Sequence, residues 1–344
     1  MKLKIIHKDD LTLFIGNLIT QQLVIAPVVR EHQFAFAPVT QVSQVRLNYN
    51  TTILPPKKVF LPQTEELFTF HPEDVSSAQP VFDPQPRVLF GIHTCDLHAM
   101  NLLDKAFAKD YVDAHYNKRR NNTLIVSIEC LMPCDEYSFC KSMGTLSASA
   151  GYDLHLTDIG DVYAIDIGSD QGEELLTRHA RTREATRDDA ARLNRAHSEK
   201  WSRFTYKLDF GSDELPALVG MSAKNRLWDE LADQCLGCGQ CTVVCPTCYC
   251  FNVVDTLSLD GKNGARKRVW DSCQLEEFAL VATGENFRKT QGQRQRHRLF
   301  RKAKYVQETF GELGCVGCGR CARSCLVHIS PVTVFNALHK ARAA

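Results

Sequence analysis

Two groups of cysteines with the same spacing lie in the second half of the chain. The first group is Cys235, Cys238, Cys241 and Cys245, and the second group is Cys315, Cys318, Cys321 and Cys325. Both follow C-x2-C-x2-C-x3-C, the ligand pattern of bacterial [4Fe-4S] ferredoxins. In two-cluster ferredoxins the fourth cysteine of each run binds the other cluster, so we expect Cys245 and Cys325 to be exchanged in this way. The spacing therefore predicts two [4Fe-4S] clusters.

A pair of zinc sites is the alternative for these eight cysteines. Structural zinc usually takes two separated C-x2-C pairs, whereas each run here has three closely spaced cysteines and a fourth. Glycines alternate with the first cysteines of each run, which lets the backbone wrap a cluster and direct amides at its sulfurs. These glycines are Gly237, Gly239, Gly317 and Gly319. The pattern favours iron–sulfur clusters.

A looser group of cysteines lies in the first half of the chain. It consists of Cys95, Cys130, Cys134 and Cys140. Cys95 and Cys130 each follow a short apolar run, residues 87–92 and 123–128, and a helix is expected between them. Because parallel strands end at the same sheet edge, these thiols are expected to meet there and to bind a third [4Fe-4S] cluster. The alternative is that Cys95 and Cys130 are small buried hydrophobic residues.

Three further cysteines, Cys248, Cys250 and Cys273, stand outside these groups. They could hold another metal or a labile cluster, but packing and hydrogen bonding near the clusters is the favoured interpretation. The chain has 15 cysteines in 344 residues, an odd number, and its first ten residues lack the apolar segment of a signal peptide. We therefore do not expect a disulfide framework. We expect the cysteines to bind metal and the protein to lie in the cytoplasm.

The order of the predicted elements indicates an α/β N-terminal domain with a partly parallel sheet over residues 1–212. Residues 11–29 predict a helix and then a strand, residues 152–157 and 162–167 predict two more strands, and residues 171–208 predict one helix or a helix pair. A linker near residue 211 leads to a mainly α-helical, ferredoxin-like domain over 213–344, where strand signals fade. Within it, residues 276–283 and 294–308 are expected to be helical.

Charge and hydropathy exclude some classes of function. Lys and Arg number 41 and Asp and Glu number 40, a balance that argues against a nucleic-acid binder. No apolar run approaches the roughly 18 residues of a membrane span.

A local basic run comprises Arg288, Lys289, Arg294, Arg296, Arg298, Arg301, Lys302 and Lys304. It is interpreted as a solvated helix face, as charge compensation for thiolate-bound clusters, or as a docking surface for an acidic partner. His98 is expected to make a local hydrogen bond, and Asp96 to cap the helix after residue 95.

Several motifs together resemble a known family. They are Leu-Pro-Pro-Lys-Lys-Val-Phe-Leu-Pro-Gln at 54–63, Thr-Cys-Asp-Leu-His-Ala at 94–99, Phe-Cys-Lys-Ser-Met-Gly-Thr at 139–145, Cys-Pro-Thr-Cys-Tyr-Cys-Phe at 245–251, Asn-Phe-Arg at 286–288 and the run at 315–321. The chain resembles the beta subunit of cytoplasmic sulfhydrogenases and group 3 [NiFe] hydrogenases from about residue 50 to 330. The iron–sulfur subunit of anaerobic sulfite reductase belongs to the same dicluster family. In the family a Cys-Phe-Cys often precedes Ser-Met-Gly-Thr, whereas this chain has Ser138, so Cys134 is the candidate for the missing ligand.

The resemblance implies an iron–sulfur subunit that passes electrons between a flavin/NAD(P)-binding subunit and a [NiFe] hydrogenase module. An anaerobic sulfite reductase complex, in which the chain would feed electrons to a sirohaem subunit, is the alternative, and a DNA-binding iron–sulfur sensor is a more distant one. Neither a G-x-G-x-x-G nor a G-x-x-x-x-G-K-[ST] motif occurs, so no flavin- or nucleotide-binding residues are identified. No catalytic residue is predicted.

Overall fold

Twelve strands in two sheets occupy the part of the chain that the structure describes, residues 3–343 without the side chains of Val75 and Ala343. The structure is a computed structural model. The strands are β1 (Leu3–His7), β2 (Leu23–Arg30), β3 (Gln33–Val39), β4 (Thr64–His71), β5 (Asp74–Pro80), β6 (Arg87–His93), β7 (Thr123–Ile128), β8 (Leu154–Asp158), β9 (Val162–Ile167), β10 (Arg183–Glu184), β11 (Phe251–Leu257) and β12 (Gly264–Trp270).

The larger sheet has eight strands in the order β10-β1-β9-β8-β7-β6-β2-β3. Its centre is parallel, because β6 pairs in parallel with both β2 and β7, and β7 pairs in parallel with β8. All seven residues of β6 are buried, as expected for a strand that is covered on both faces. The predicted α/β half with a partly parallel sheet is confirmed.

Twelve helices are present in residues 3–343. They are α1 (Lys8–Gln21), α2 (Thr94–Ala108), α3 (Ala114–Asn121), α4 (Asp170–His179), α5 (Arg187–Arg203), α6 (Leu215–Met221), α7 (Leu227–Gln234), α8 (Gln240–Val243), α9 (Gln291–Phe300), α10 (Val306–Phe310), α11 (Arg320–Arg323) and α12 (Pro331–Ala343). A π-turn, Arg301–Tyr305, joins α9 to α10. None of these helices is long and apolar enough to cross a bilayer.

The C-terminal part is mainly helical, as predicted, and packs around its own core. Trp228 of α7, Leu299 and Phe300 of α9, and Phe335 and Leu338 of α12 are all buried in it. The prediction of a helix at 276–283 is wrong, because only a short 3-10 turn, Glu277–Ala279, forms there. The helix expected at 294–308 is confirmed as α9, the π-turn and α10.

The expectation that strands end before the cysteine runs is also wrong. β11 and β12 form a hairpin between the two runs, and β12 pairs with β4 from the first half of the chain. The resulting sheet has the order β11-β12-β4-β5. Most of β11 is exposed, so its sequence lacks the apolar alternation that marks a half-buried strand.

A buried ion pair joins the two halves next to the cysteines. Arg320 of α11 donates two hydrogen bonds to the Asp96 carboxylate, at 2.6 and 2.7 Å, and its Nε donates to the Thr52 carbonyl at 2.9 Å. Both charged side chains are almost fully buried. The sequence position of Asp96 suggested that it caps α2, and this expectation is wrong. Asp96 instead anchors the second cysteine run to the large sheet.

Candidate metal centre

The two cysteine runs fold in the same way. In each run a glycine with left-handed backbone precedes a four-residue helix: Gly239, with φ of 76°, precedes α8, and Gly319, with φ of 75°, precedes α11. Gly237 and Gly317, two residues earlier in their runs, also have positive φ. A side chain at Gly317 would place its Cβ 2.6 Å from the Cys140 amide nitrogen. Glycine is therefore required there both by conformation and by space.

Each run contributes three cysteines to one cavity and the fourth to the other cavity. The first cavity is lined by Cys235, Cys238, Cys241 and Cys325. The second cavity is lined by Cys315, Cys318, Cys321 and Cys245. The structure thus brings the eight cysteines together in the exchanged arrangement that the ferredoxin pattern predicts.

A buried arginine separates the two cavities. Arg298 of α9 lines both of them, is only 4% exposed, and has a buried Nε without a hydrogen-bond partner. Burial lowers the pKa of Arg298, but the thiolate charges of Cys241 and Cys321 outweigh burial and raise this pKa overall. Among residues 3–343 no carboxylate forms an ion pair with Arg298. Its counter-charge is therefore on the cysteines.

A lysine follows the arginine on the same helix face. Lys302 is 5% exposed, lines the second cavity and donates a hydrogen bond from Nζ to Thr247 Oγ1 at 2.5 Å. Burial acts to lower the pKa of Lys302, yet the nearby Cys245 and Cys248 raise it overall. The solvated-face interpretation of the basic run is wrong for Arg294, Arg298 and Lys302, which are all buried. Charge compensation for the cysteines fits Arg298 and Lys302.

The chemistry of these donors fits iron–sulfur clusters. Burial raises the pKa of Cys241 and of Cys315 to about 12, although Arg298 and Lys302 act to lower these pKa values, so without a bound metal these sulfurs would be neutral thiols. Metal ions bind cysteine as thiolate, and the two buried cations would balance the charge of a thiolate-ligated cluster. Within residues 3–343, no three His, Cys, Asp or Glu side chains converge closely enough to hold a single metal ion.

The four cysteines of the first half also gather at one place. Cys95 and Cys140 are buried in one cluster of side chains, with Cys130 packed against it. The Sγ atom of Cys134 lies 3.7 Å from His93 Nδ1, at the end of β6. Burial raises the pKa of Cys134 to about 11 and that of Cys140 to about 12. A Cys95 side chain that pointed into the core, away from Cys130 and Cys140, would have excluded a common site. Cys95 does not point away from them.

This third group directly adjoins the second cavity. The Phe139 amide donates to the Gly317 carbonyl at 2.8 Å, and Thr145 Oγ1 donates to the Val316 carbonyl at 2.6 Å. Cys318 packs against the cluster that contains Cys95 and Cys140. The three cysteine sites therefore follow one another in space, with the second cavity in the middle.

The three remaining cysteines lie beside the dicluster cavities. Cys248 has the largest effect on the pKa of Cys245 and acts to lower it, whereas Cys273 has the largest effect on the pKa of Cys250 and acts to raise it. Lys57, which no single motif marked as functional, supports this segment: its Nζ donates to the carbonyls of Cys245 and Cys248 at 2.8 and 2.7 Å. The only signal for it in the sequence was its place in the family-like motif at 54–63. His98 makes a hydrogen bond to the Ser147 carbonyl at 2.8 Å, and because this partner is 49 residues away in the chain, the expectation of a local partner is wrong.

Comparison with known proteins agrees with this geometry. Residues 234–329 match the family described as a 4Fe-4S dicluster domain, so the helical C-terminal part contains an iron–sulfur domain of the dicluster class. Over 331 residues it is 34% identical to the sulfhydrogenase 2 subunit beta of Pyrococcus furiosus, with 96% of each chain covered. The chain belongs to the family of sulfhydrogenase beta subunits. No solved structure matches it.

Proposed function

We propose that this chain is the electron-transfer subunit of a cytoplasmic oxidoreductase, placed between a flavin/NAD(P)-binding subunit and a [NiFe] hydrogenase module. The observation that carries the proposal is the pair of four-cysteine cavities with Arg298 between them. A cation that is buried without a carboxylate partner needs negative charge on both sides, and thiolate-ligated clusters supply that charge. The family relationship supports the same function.

The ligands in this proposal are twelve cysteines in three sets. Cys235, Cys238, Cys241 and Cys325 hold the first cluster; Cys315, Cys318, Cys321 and Cys245 hold the second; and Cys95, Cys130, Cys134 and Cys140 hold the third. Each [4Fe-4S] cluster, when bound, supplies a site that takes up and releases one electron.

The protein groups around these cysteines would hold the sulfurs in place and set the redox potentials. Gln295 Nε2 donates to Cys235 Sγ at 3.0 Å, and the amides of Gly237 and Ile329 donate to the sulfurs of Cys235 and Cys325 at 3.4 and 3.3 Å. Hydrogen bonds to sulfur and nearby positive charge both favour the reduced state. These donors therefore act together with Arg298 and Lys302.

The order of the three sites gives the electron path two ends. At the first cavity Cys238 is exposed, and it is flanked by Leu236, 59% exposed, and Leu326, 80% exposed. At the opposite end a cleft lined by Cys130, Cys134 and the exposed Met132 reaches the third site. We propose that the flavin/NAD(P)-binding subunit and the catalytic subunit dock at these two ends.

Metal analysis of the anaerobically purified chain tests the cluster assignment. Three clusters predict about 12 iron and 12 sulfide per chain. An iron content near eight per chain would contradict the third cluster, and zinc in place of iron would contradict the proposal.

Purification of the native complex tests the partners: a [NiFe] large subunit is expected, and a sirohaem subunit in its place would assign the chain to sulfite reduction.

A further inference from the structure

Three of the four cysteines at the third site have an acidic residue directly beside them in the chain. These acidic residues are Asp96, Glu129 and Asp135, which adjoin Cys95, Cys130 and Cys134 respectively. The two cysteine runs, residues 235–245 and 315–325, contain no Asp or Glu. The sequence therefore places negative charge next to one set of cysteines and keeps it out of the other two.

Each of these carboxylates is paired with a cation that lies near the third site. The pairs are Asp96 with Arg320, Glu129 with Lys200, and Asp135 with Arg323. The side chains of Lys200 and Asp96 are fully buried, and that of Arg320 is 2% exposed. Because each cation has its own carboxylate, the protein charges around the third site largely cancel.

The buried cations beside the two dicluster cavities have no such partners. Lys57, Arg298 and Lys302 are all buried, and within the described part of the chain none of them forms an ion pair with a carboxylate. Lys57 donates to two main-chain carbonyls and Lys302 donates to a hydroxyl, so neither meets a negatively charged side chain. The dicluster sites therefore lie among positive charges that no carboxylate opposes.

At Cys134 the opposing charges act on a single sulfur. Burial is the main cause that raises the pKa of Cys134 to about 11. Arg320 and Arg323 act to lower this pKa, whereas Asp135 and Asp96 act to raise it. The carboxylates are thus close enough to the sulfur to oppose the two arginines there.

Exposure to water also distinguishes the third site from the first cavity. Cys238 of the first cavity is exposed, whereas the four cysteines of the third site are buried or half-buried. Water stabilises the additional negative charge of a reduced cluster, and solvent exposure is one of the factors that set cluster potentials. Exposure therefore acts in the same direction as the difference in charge.

We propose that Asp96, Glu129 and Asp135 give the third cluster the lowest redox potential of the three. Reduction adds one electron, which the unopposed charges of Arg298 and Lys302 stabilise at the dicluster sites, whereas the carboxylates cancel this effect at the third site. Electrons then pass spontaneously from the third site through the second to the first: the third cluster loses the one electron that the second gains. The subunit that docks at the cleft beside the third site is therefore the electron donor. This inference rests on the proposed function, because it requires a third cluster.

Potentiometric titration followed by electron paramagnetic resonance tests the order of reduction in the full-length, anaerobically purified protein. The signal that is lost in Cys140→Ser, or in Cys130→Ser, belongs to the third cluster. In the wild-type protein we expect this signal to appear last, at a lower potential than both dicluster signals. If it appears before or together with either dicluster signal, the inference is wrong.

Two charge variants test whether the carboxylates set this order. Asp135→Asn leaves Arg323 unopposed and should raise the potential of the third cluster. If the lost charge is taken to lie about 12 Å from the cluster, at an effective dielectric constant of about 20, the ratio of reduced to oxidised third cluster at a fixed potential rises roughly tenfold. Arg323→Met leaves Asp135 unopposed and should lower the same potential.

Asp255→Asn is the matched control, because it breaks an exposed Asp–Arg pair, with Arg266, on the hairpin of β11 and β12. All three potentials should stay unchanged in this variant. Shifts of the third-cluster potential in the same direction in Asp135→Asn and Arg323→Met would show a general disturbance of the site and contradict the inference.

Iron content measured on the same samples reports separately on the proposed function. About 12 iron per chain together with a third-cluster signal that is not the last to appear would contradict the order of potentials alone. About eight iron per chain would contradict the third cluster itself, so a failure of the inference is distinguishable from a failure of the proposed function.

Discussion

Removal of the positive charge between the two cavities should lower the redox potential of two clusters at once. Arg298→Met keeps a long side chain but deletes the guanidinium that lines both cavities. If the guanidinium and the added electron are taken to be about 6 Å apart, at an effective dielectric constant of about 20, their attraction is roughly 3 kcal/mol. For a one-electron couple this corresponds to roughly 120 mV. Arg298→Met should lower the redox potentials, because reduction adds negative charge that Arg298 stabilises in the wild-type protein.

Potentiometric titration followed by electron paramagnetic resonance measures this effect. We expect both dicluster signals to shift down by about 100 mV, while the third cluster changes less because Arg298 does not line its site. Arg296→Met is the control: Arg296 lies on the same helix, and its NH1 donates to the Ala223 carbonyl at 2.7 Å, away from both cavities. Equal potentials in Arg298→Met and wild-type protein, or a shift of one dicluster signal alone, would refute the assignment of Arg298 as a shared counter-charge.

Three further predictions concern the ligands and the joint between the halves. Cys245→Ala should perturb the signal of the second cluster and Cys325→Ala that of the first, as read by electron paramagnetic resonance; effects confined to each residue's own run would contradict the exchange. Serine at Cys95, Cys130 or Cys140 should remove about four irons per chain and leave both dicluster signals intact, and loss of all clusters would argue against a separate third site. Asp96→Ala should cost about 3–5 kcal/mol of unfolding free energy in denaturant titration because it leaves Arg320 buried and unpaired. Asp255→Ala, which breaks an exposed pair with Arg266, should cost much less; similar losses in the two variants would contradict the role of the buried pair.

The parts of the site that depend on local spacing could be predicted from the sequence. The two runs contain their own turns, so the positive φ of Gly237, Gly239, Gly317 and Gly319 follows from the cysteine pattern and from the conformational freedom of glycine. The parallel strands β6 and β7 were also predictable, because continuous apolar runs mark strands that are buried on both faces. Each of these features is encoded within a few residues.

Features that depend on distant partners could not be predicted in the same way. Arg298 and Lys302 resemble a solvated helix face until the thiols opposite them are known, because the sequence does not show which residues supply the counter-charge. The hairpin of β11 and β12 was missed because most of β11 is exposed, so no apolar alternation marks it. Asp96 looked like a helix cap, since its partner Arg320 is more than 200 residues away in the chain.

The pairing of β4 with β12 has a consequence for how the protein is made. Thr64 of β4 pairs with Val269 of β12, so the hairpin of β4 and β5 leaves the ribosome long before its partner strand exists. At roughly 5–20 residues per second, the delay is roughly 10 to 40 s. A two-stranded hairpin alone is at best marginally stable in water, and its unpaired edge can join other chains. During synthesis this edge is therefore a point where the nascent chain needs protection until the segment between the two cysteine runs has been made.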